Sequence, residues 1–201
     1  STDYGATWAD LFEGRLGTDH YFHLHDVHFD PYSGIIWITN GDTASNSNIW
    51  WSPDMGETWN SVWEYGSCPK QFTSIAALPN CVLFLTDSVD VAVWKWNRTP
   101  NKPINGTRLE IEPSFIVCDA YPGNEPIGVR AGIMYGANAV VYFGWQFNKD
   151  SIHMPARVFA TTDGKNYYTI WQAHESPAQL GVCGISLHTE NGNLLVTYRD
   201  A

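Results

Sequence analysis

Short runs of alternating or continuous apolar residues follow one another along the chain, separated by glycine, proline, asparagine and aspartate. No stretch keeps the i, i+3, i+4, i+7 apolar spacing of an amphipathic helix, so helix is expected to be scarce. The runs are rich in β-branched and aromatic residues and read as strands. First strands, each following a polar loop, fall at Phe22–Phe29, Phe72–Leu78, Ile127–Tyr135 and Leu180–His188. Second strands fall at Ile35–Thr39, Val82–Thr86, Val140–Trp145 and Leu194–Tyr198. Ile49–Ser52, Val91–Trp96 and Arg157–Thr161 are third strands, and Trp59–Glu64, Arg108–Glu112 and Tyr167–Gln172 are fourth strands. Antiparallel groups of four, returning at a period of about 50 residues, predict an all-β chain built as a β-propeller. The blade repeats run roughly over 1–12, 20–65, 71–116, 127–173 and 180–201, about four blade equivalents in one propeller domain or propeller segment.

The turns repeat as well. Ser1-Thr2-Asp3-Tyr4-Gly5-Ala6-Thr7-Trp8 returns as Ser52-Pro53-Asp54-Met55-Gly56-Glu57-Thr58-Trp59, the shared pattern being S-x-D-x-G-x-T-W. A degenerate copy lies at Thr161–Tyr168 around Asp163, and Asn105-Gly106-Thr107 occupies the place where another would fall. The residues suit a self-contained turn. Aspartate accepts hydrogen bonds from N–H groups a few residues on, and glycine takes the positive φ that strains other residues. Threonine closes the loop through its hydroxyl, and tryptophan packs its ring between sheets. An EF-hand reading of the same residues fails, because that loop needs more acidic ligands and a terminal glutamate.

These copies resemble the Asp-box (BNR) repeats of sialidases and other propellers. The resemblance is specific at 1–8 and 52–59, weak at 161–168, and reaches the rest of the chain only through the period. It implies that the box lies between the third and fourth strands of a blade and is structural. The residues that inherit this role are Asp3, Gly5, Thr7, Trp8, Asp54, Gly56, Thr58 and Trp59, with Asp163 in the degenerate copy. Resemblance to sialidases also raises the question of their three carboxylate-clamping arginines, tyrosine nucleophile and acidic partners. This chain has six arginines and no F-R-I-P-like segment, and only Arg130, Arg157 and Arg199 lie in strand-like sequence. No nucleophile elbow, phosphate-binding glycine loop or H-E-x-x-H motif is present.

One cluster is unusual for its density. His20, His23, His25, Asp26 and His28 fall within nine residues. On a regular strand His23 and His25 share one face, while Asp26 and His28 share the other. Three readings stand: packing of imidazoles at a crowded propeller axis, a polar ligand pocket, and a metal site with Asp42 or Asp90 as further ligand. No metal or other cofactor is expected on the sequence alone. Turns after the second and fourth strands, together with the starts of first strands, build the face opposite the boxes. Its loops are the longer and more varied ones, as binding loops are. His23, His25, Asp42, Asp90, Arg130, Trp145 and Arg199 are the ligand-face candidates, and Trp50, Tyr121 and Trp145 would suit a sugar.

Composition narrows the partners. The net charge of −10 argues against nucleic acid, which needs a basic face. No apolar run approaches the roughly 18 residues of a membrane-spanning helix. Cys68, Cys81, Cys118 and Cys183 lack zinc-site spacing, and both disulfides and reduced core thiols fit them. Asn97 and Asn105 match the N-glycosylation pattern. The expected function is non-catalytic recognition of a glycan or protein through the face opposite the boxes, in an extracellular, cell-surface or virion-associated setting. One alternative is a sialidase-like glycoside hydrolase whose remaining catalytic residues lie outside this chain, and another is a purely structural assembly module. Because the repeats start inside a box, a segment of a larger propeller is expected over a closed four-bladed ring. Self-association or a complementary propeller segment would then cover its open edges.

Overall fold

Every position of the run Cys81–Thr86 is buried, because both faces of this strand are covered. Val82 and Phe84 point into one apolar cluster, while Cys81, Leu83 and Leu85 point into another, the period-two alternation of a strand sandwiched between two sheets. In this computed structural model the described residues are 6–7, 23–42, 46–64, 66–87, 92–116, 128–137, 139–148, 157–172, 181–188 and 193–199; for 116, 128–137, 145–148, 181–188 and 193–199 the description covers the backbone alone.

Among the described residues every regular element is a strand. The first sheet joins β1 (Leu24–Asp30), β2 (Ile35–Asn40), β3 (Asn48–Ser52) and β4 (Asn60–Ser61) in that order. The second joins β5 (Phe72–Ala77), β6 (Cys81–Thr86), β7 (Ala92–Asn97) and β8 (Glu112–Ile116). The third joins β9 (Gly128–Ala137), β10 (Val140–Asn148), β11 (Arg157–Thr161) and β12 (Tyr168–Gln172). A last hairpin pairs β13 (Gly181–His188) with β14 (Asn193–Arg199), and all the pairings are antiparallel. Successive first strands lie side by side, β1 against β5, β5 against β9 and β9 against β13. Each second strand also packs on the next sheet's first strand. The same step repeated from sheet to sheet is the blade arrangement of a β-propeller.

Large side chains fill the seams between blades. Trp37, Trp51, Ile35 and Ile49 of the first blade meet Phe72, Ile75, Val82 and Phe84 of the second. Across the next seam, Leu83, Leu85 and Val93 meet Val141, Phe143 and Phe159. Polar ties reinforce the first seam. The Ile75 N–H donates to Asp26 Oδ2 at 2.7 Å, and burial of Asp26 raises its pKa despite that bond. On the same strand, burial lowers the pKa of His28, whose Nε2 has no partner among the described residues. This half of the histidine run is therefore seam structure.

Two fourth strands differ from the sequence reading. Arg108–Glu112 is not a strand; β8 starts at Glu112 and runs to Ile116. Leu109 is the reason. It is 6% exposed and plugs the first core cluster from within the long β7–β8 connection, so its apolar character serves packing and not a ladder. Asn105 and Gly106 form a turn in that connection, with Thr107 N–H donating to the Ile104 carbonyl at 3.0 Å. Strand β4 spans two residues where Trp59–Glu64 was expected. Past Ser61 one backbone bond remains, from the Val62 N–H to the Ile49 carbonyl at 2.9 Å, and at Trp63 the Asn48 side chain takes over, donating to the Trp63 carbonyl at 2.8 Å and accepting from the Trp63 N–H at 3.3 Å.

Candidate functional site

The start of β1 and the end of β2 bring two imidazoles and a carboxylate together. Gly41 follows β2 with φ of 97°. A Cβ there would run into the backbone of Asn46 and Ser47, so only glycine lets the chain turn at this point. Its N–H donates to the His23 carbonyl at 2.8 Å, and the Asp42 N–H donates to Asn46 Oδ1 at 2.9 Å. These bonds set the Asp42 carboxylate in direct contact with His23 Nδ1. His25 sits in a β-bulge, where the β1–β2 register skips from Leu24 to Asp26. Bulges re-aim side chains. Here His25 Nδ1 meets the Phe72 carbonyl oxygen of the next blade at 2.9 Å. The two imidazole rings stand edge to face, 4.7 Å between centroids. One ligand atom from each of His23, His25 and Asp42 lies within 4.8 Å of the others. His23 and Asp42 are exposed, and His25 is half-buried.

A groove of about 680 Å³ runs along the outer edge of the first blade. Trp50, Trp59 and Trp63 line it, with Asn60, Glu64 and Arg108 among the polar groups. The β7–β8 connection of the second blade forms its far wall and is fastened by the Gly106 N–H, which donates to Asn60 Oδ1 at 2.8 Å. Behind the groove, Trp63 stacks on Phe72 with centroids 5.6 Å apart and meets Trp94 edge to face at 6.4 Å. Trp50 donates its indole N–H to Asn40 Oδ1 at 2.9 Å. Trp59 and Trp63 are half-buried and Arg108 is exposed. Of these lining residues the sequence singled out only Trp50 for sugar contact.

No protein-family model matches the chain, and no curated protein matches it either. One solved structure similar to it is an α-L-arabinanase of Penicillium chrysogenum complexed with arabinobiose, with a TM-score of 0.47 and 14% sequence identity. That likeness covers 89% of this chain, which spans 62% of the arabinanase chain. At that score, the propeller architecture rests on the sheet order and blade packing of this chain itself.

The remaining expected site residues divide by position. Asp90 lies outside the described residues. Arg130, Trp145 and Arg199 lie on β9, β10 and β14, where the backbone alone is described. Arg130 pairs with Gln146 and Arg199 with Gly181, so both sit at strand ends that correspond to the Leu24–Asn40 end of the first blade. Asp3, Gly5 and Trp8 also lie outside the description, and Thr7 falls in an exposed bend. Cys68 and Cys81 are free and buried, and burial pushes each thiol up to about 11. Cys118 and the Cys183 side chain are not among the described parts.

The two described aspartate turns direct their carboxylates inward. Asp54 accepts from the Thr58 N–H at 2.8 Å, the Thr58 hydroxyl at 2.6 Å and the Ser52 hydroxyl at 2.8 Å, and the Thr58 bonds lower its pKa. Gly56, with φ of 95°, donates its N–H to Ser52 Oγ at 2.8 Å. Asp163 accepts from the N–H groups of Lys165 and Asn166, each at 2.8 Å, and from the Asn166 amide at 2.7 Å. The turn that looks degenerate in sequence therefore binds its aspartate at least as fully. Those donors, the Asn166 N–H first, pull the Asp163 pKa from 3.8 to about 2. A folded-state pKa below the unfolded one stabilises the fold above 3.8, and the benefit disappears as pH falls through about 2. Urea midpoints of the wild type are expected to fall across that window, and those of Asp163→Asn to fall less steeply. Equal slopes would contradict this account of the turn.

Proposed function

We propose that this propeller is a non-catalytic recognition module that binds a glycan in the tryptophan-lined groove on the edge of its first blade. The observation that carries the reading is the groove itself, with Trp50, Trp59 and Trp63 beside Asn60, Glu64 and Arg108. Sugar rings present apolar C–H faces and a rim of hydroxyls. Indole rings suit the first, and planar amide, carboxylate and guanidinium groups suit the second. The His23–His25–Asp42 cluster adds a second exposed polar feature, on the face opposite the aspartate turns.

Glycan-array screening followed by calorimetric titration of the best oligosaccharide tests this reading. Trp59→Ala is expected to weaken binding about tenfold, the scale of a lost aromatic contact of about 0.5–1.5 kcal/mol plus its buried area. Arg108→Ala, an exposed change, should weaken it while leaving thermal unfolding unchanged. Turnover of fluorogenic glycosides by the wild type would overturn the non-catalytic reading, and glycan binding indifferent to both substitutions would overturn the groove.

A further inference from the structure

We propose that His23, His25 and Asp42 form a binding site for a divalent cation of the zinc class. Two imidazoles and one carboxylate are a donor set suited to zinc and its borderline neighbours, and poorly suited to magnesium or calcium, which prefer oxygen alone. The sequence offered the histidine pair with Asp42 or Asp90 as the further ligand; among the described residues, Asp42 stands beside both imidazoles.

The cluster is prepared in the way metal-ligating histidines usually are. His25 Nδ1 is engaged by the Phe72 carbonyl, which fixes that nitrogen as the protonated one and leaves Nε2 as the lone-pair donor. Asp42 is placed by the Gly41 turn and by Asn46 and contacts Nδ1 of His23, a contact that opens when His23 and Asp42 each turn a lone pair to the ion. The ligand atoms lie within 4.8 Å of one another. Donors at zinc-ligand distances around a tetrahedral ion stand about 3.4 Å apart, so closure needs only modest side-chain rotation. The two side chains free to rotate are the exposed ones, His23 at 61% and Asp42 at 55% exposure, while His25 stays anchored. An ion there would tie the start of β1 to the β2–β3 loop. With three protein ligands at a surface, it would keep an outward coordination position open to water or to a carboxylate or hydroxyl of a bound partner.

Untagged protein stripped with chelator and titrated calorimetrically with zinc alone tests the site, with cobalt(II) absorption reporting ligand geometry. One equivalent of zinc is expected to bind and to raise the melting temperature. His23→Ala and Asp42→Asn, both at exposed positions and so compatible with folding, should each weaken zinc binding by at least about tenfold. Failure of the wild type to bind zinc would overturn the proposal. So would unchanged affinity in the His23→Ala/Asp42→Asn double variant, which would place the ion elsewhere. Neither result depends on the glycan groove, since zinc is the only ligand added.

Discussion

Replacing Arg98 by leucine is expected to lower the unfolding free energy by about 3–5 kcal/mol, the usual cost of stranding one partner of a buried ion pair. Asp30, at the end of β1, is fully buried. Its carboxylate accepts from Arg98 through both Nη atoms, the Nη2 bond to Oδ1 measuring 2.7 Å, and also from the Tyr32 N–H at 3.0 Å and the Ser33 hydroxyl. The guanidinium in turn donates to the Leu78 carbonyl from Nε at 3.1 Å and from Nη2 at 2.9 Å. It also faces the Tyr32 and Trp96 rings at 5.3 and 5.8 Å. One side chain thus joins the β1–β2 turn of the first blade to the β5–β6 turn and the end of β7 in the second, around a carboxylate that is fully buried. Without it, Asp30 keeps a buried charge and loses its only cationic partner in the described structure. Urea unfolding of Arg98→Leu measures the loss directly, and a change below about 1 kcal/mol, the range of an exposed pair, would contradict this description. The double variant Arg98→Leu/Asp30→Leu should recover part of the loss, because no charge is then left buried.

Trp37→Ala is expected to cost a similar amount, about 3–5 kcal/mol, by emptying the centre of the first seam. Trp37 is fully buried and meets Phe84 at 5.4 Å and Trp96 at 5.3 Å between ring centroids. Its indole N–H has no hydrogen-bond partner among the described residues. Trp37→Phe therefore removes an unpaired buried donor along with part of the ring, and the two effects oppose each other. The phenylalanine variant should lose clearly less stability than the alanine variant in thermal or urea unfolding. Equal losses would mean that the indole nitrogen has a partner after all.

The blades were largely legible because strand and turn signals are local. The third strand of the third blade, Arg157–Thr161, falls where its β-branched and aromatic run placed it. The exception at Arg108–Glu112 shows the limit of pattern reading. Leu109 between polar neighbours imitates alternation, yet it is a plug for a core whose other members lie on two blades. The site was legible in part for the same reason. The H-x-H spacing marked His23 and His25, but bringing Asp42 to them takes the Gly41 turn and the bulge at His25, neither of which alternation reveals. Arg98 and Asp30 are 68 positions apart, and their pairing exists only once two blades have packed. The groove was illegible. Its walls come from β4 and from a connection that reaches across the blade edge to Asn60, 46 positions away from Gly106.

If the groove on the first blade receives a sugar, the indole N–H resonances of the ten tryptophans report on it individually. After assignment by single Trp→Phe variants, the highest-affinity oligosaccharide from the array is titrated into nitrogen-15-labelled protein. The Trp50, Trp59 and Trp63 signals are expected to shift together, with one saturating curve, while fully buried Trp37 and Trp51 stay in place. Shifts confined to other tryptophans, or a saturating titration that leaves the three groove signals unmoved, would contradict it.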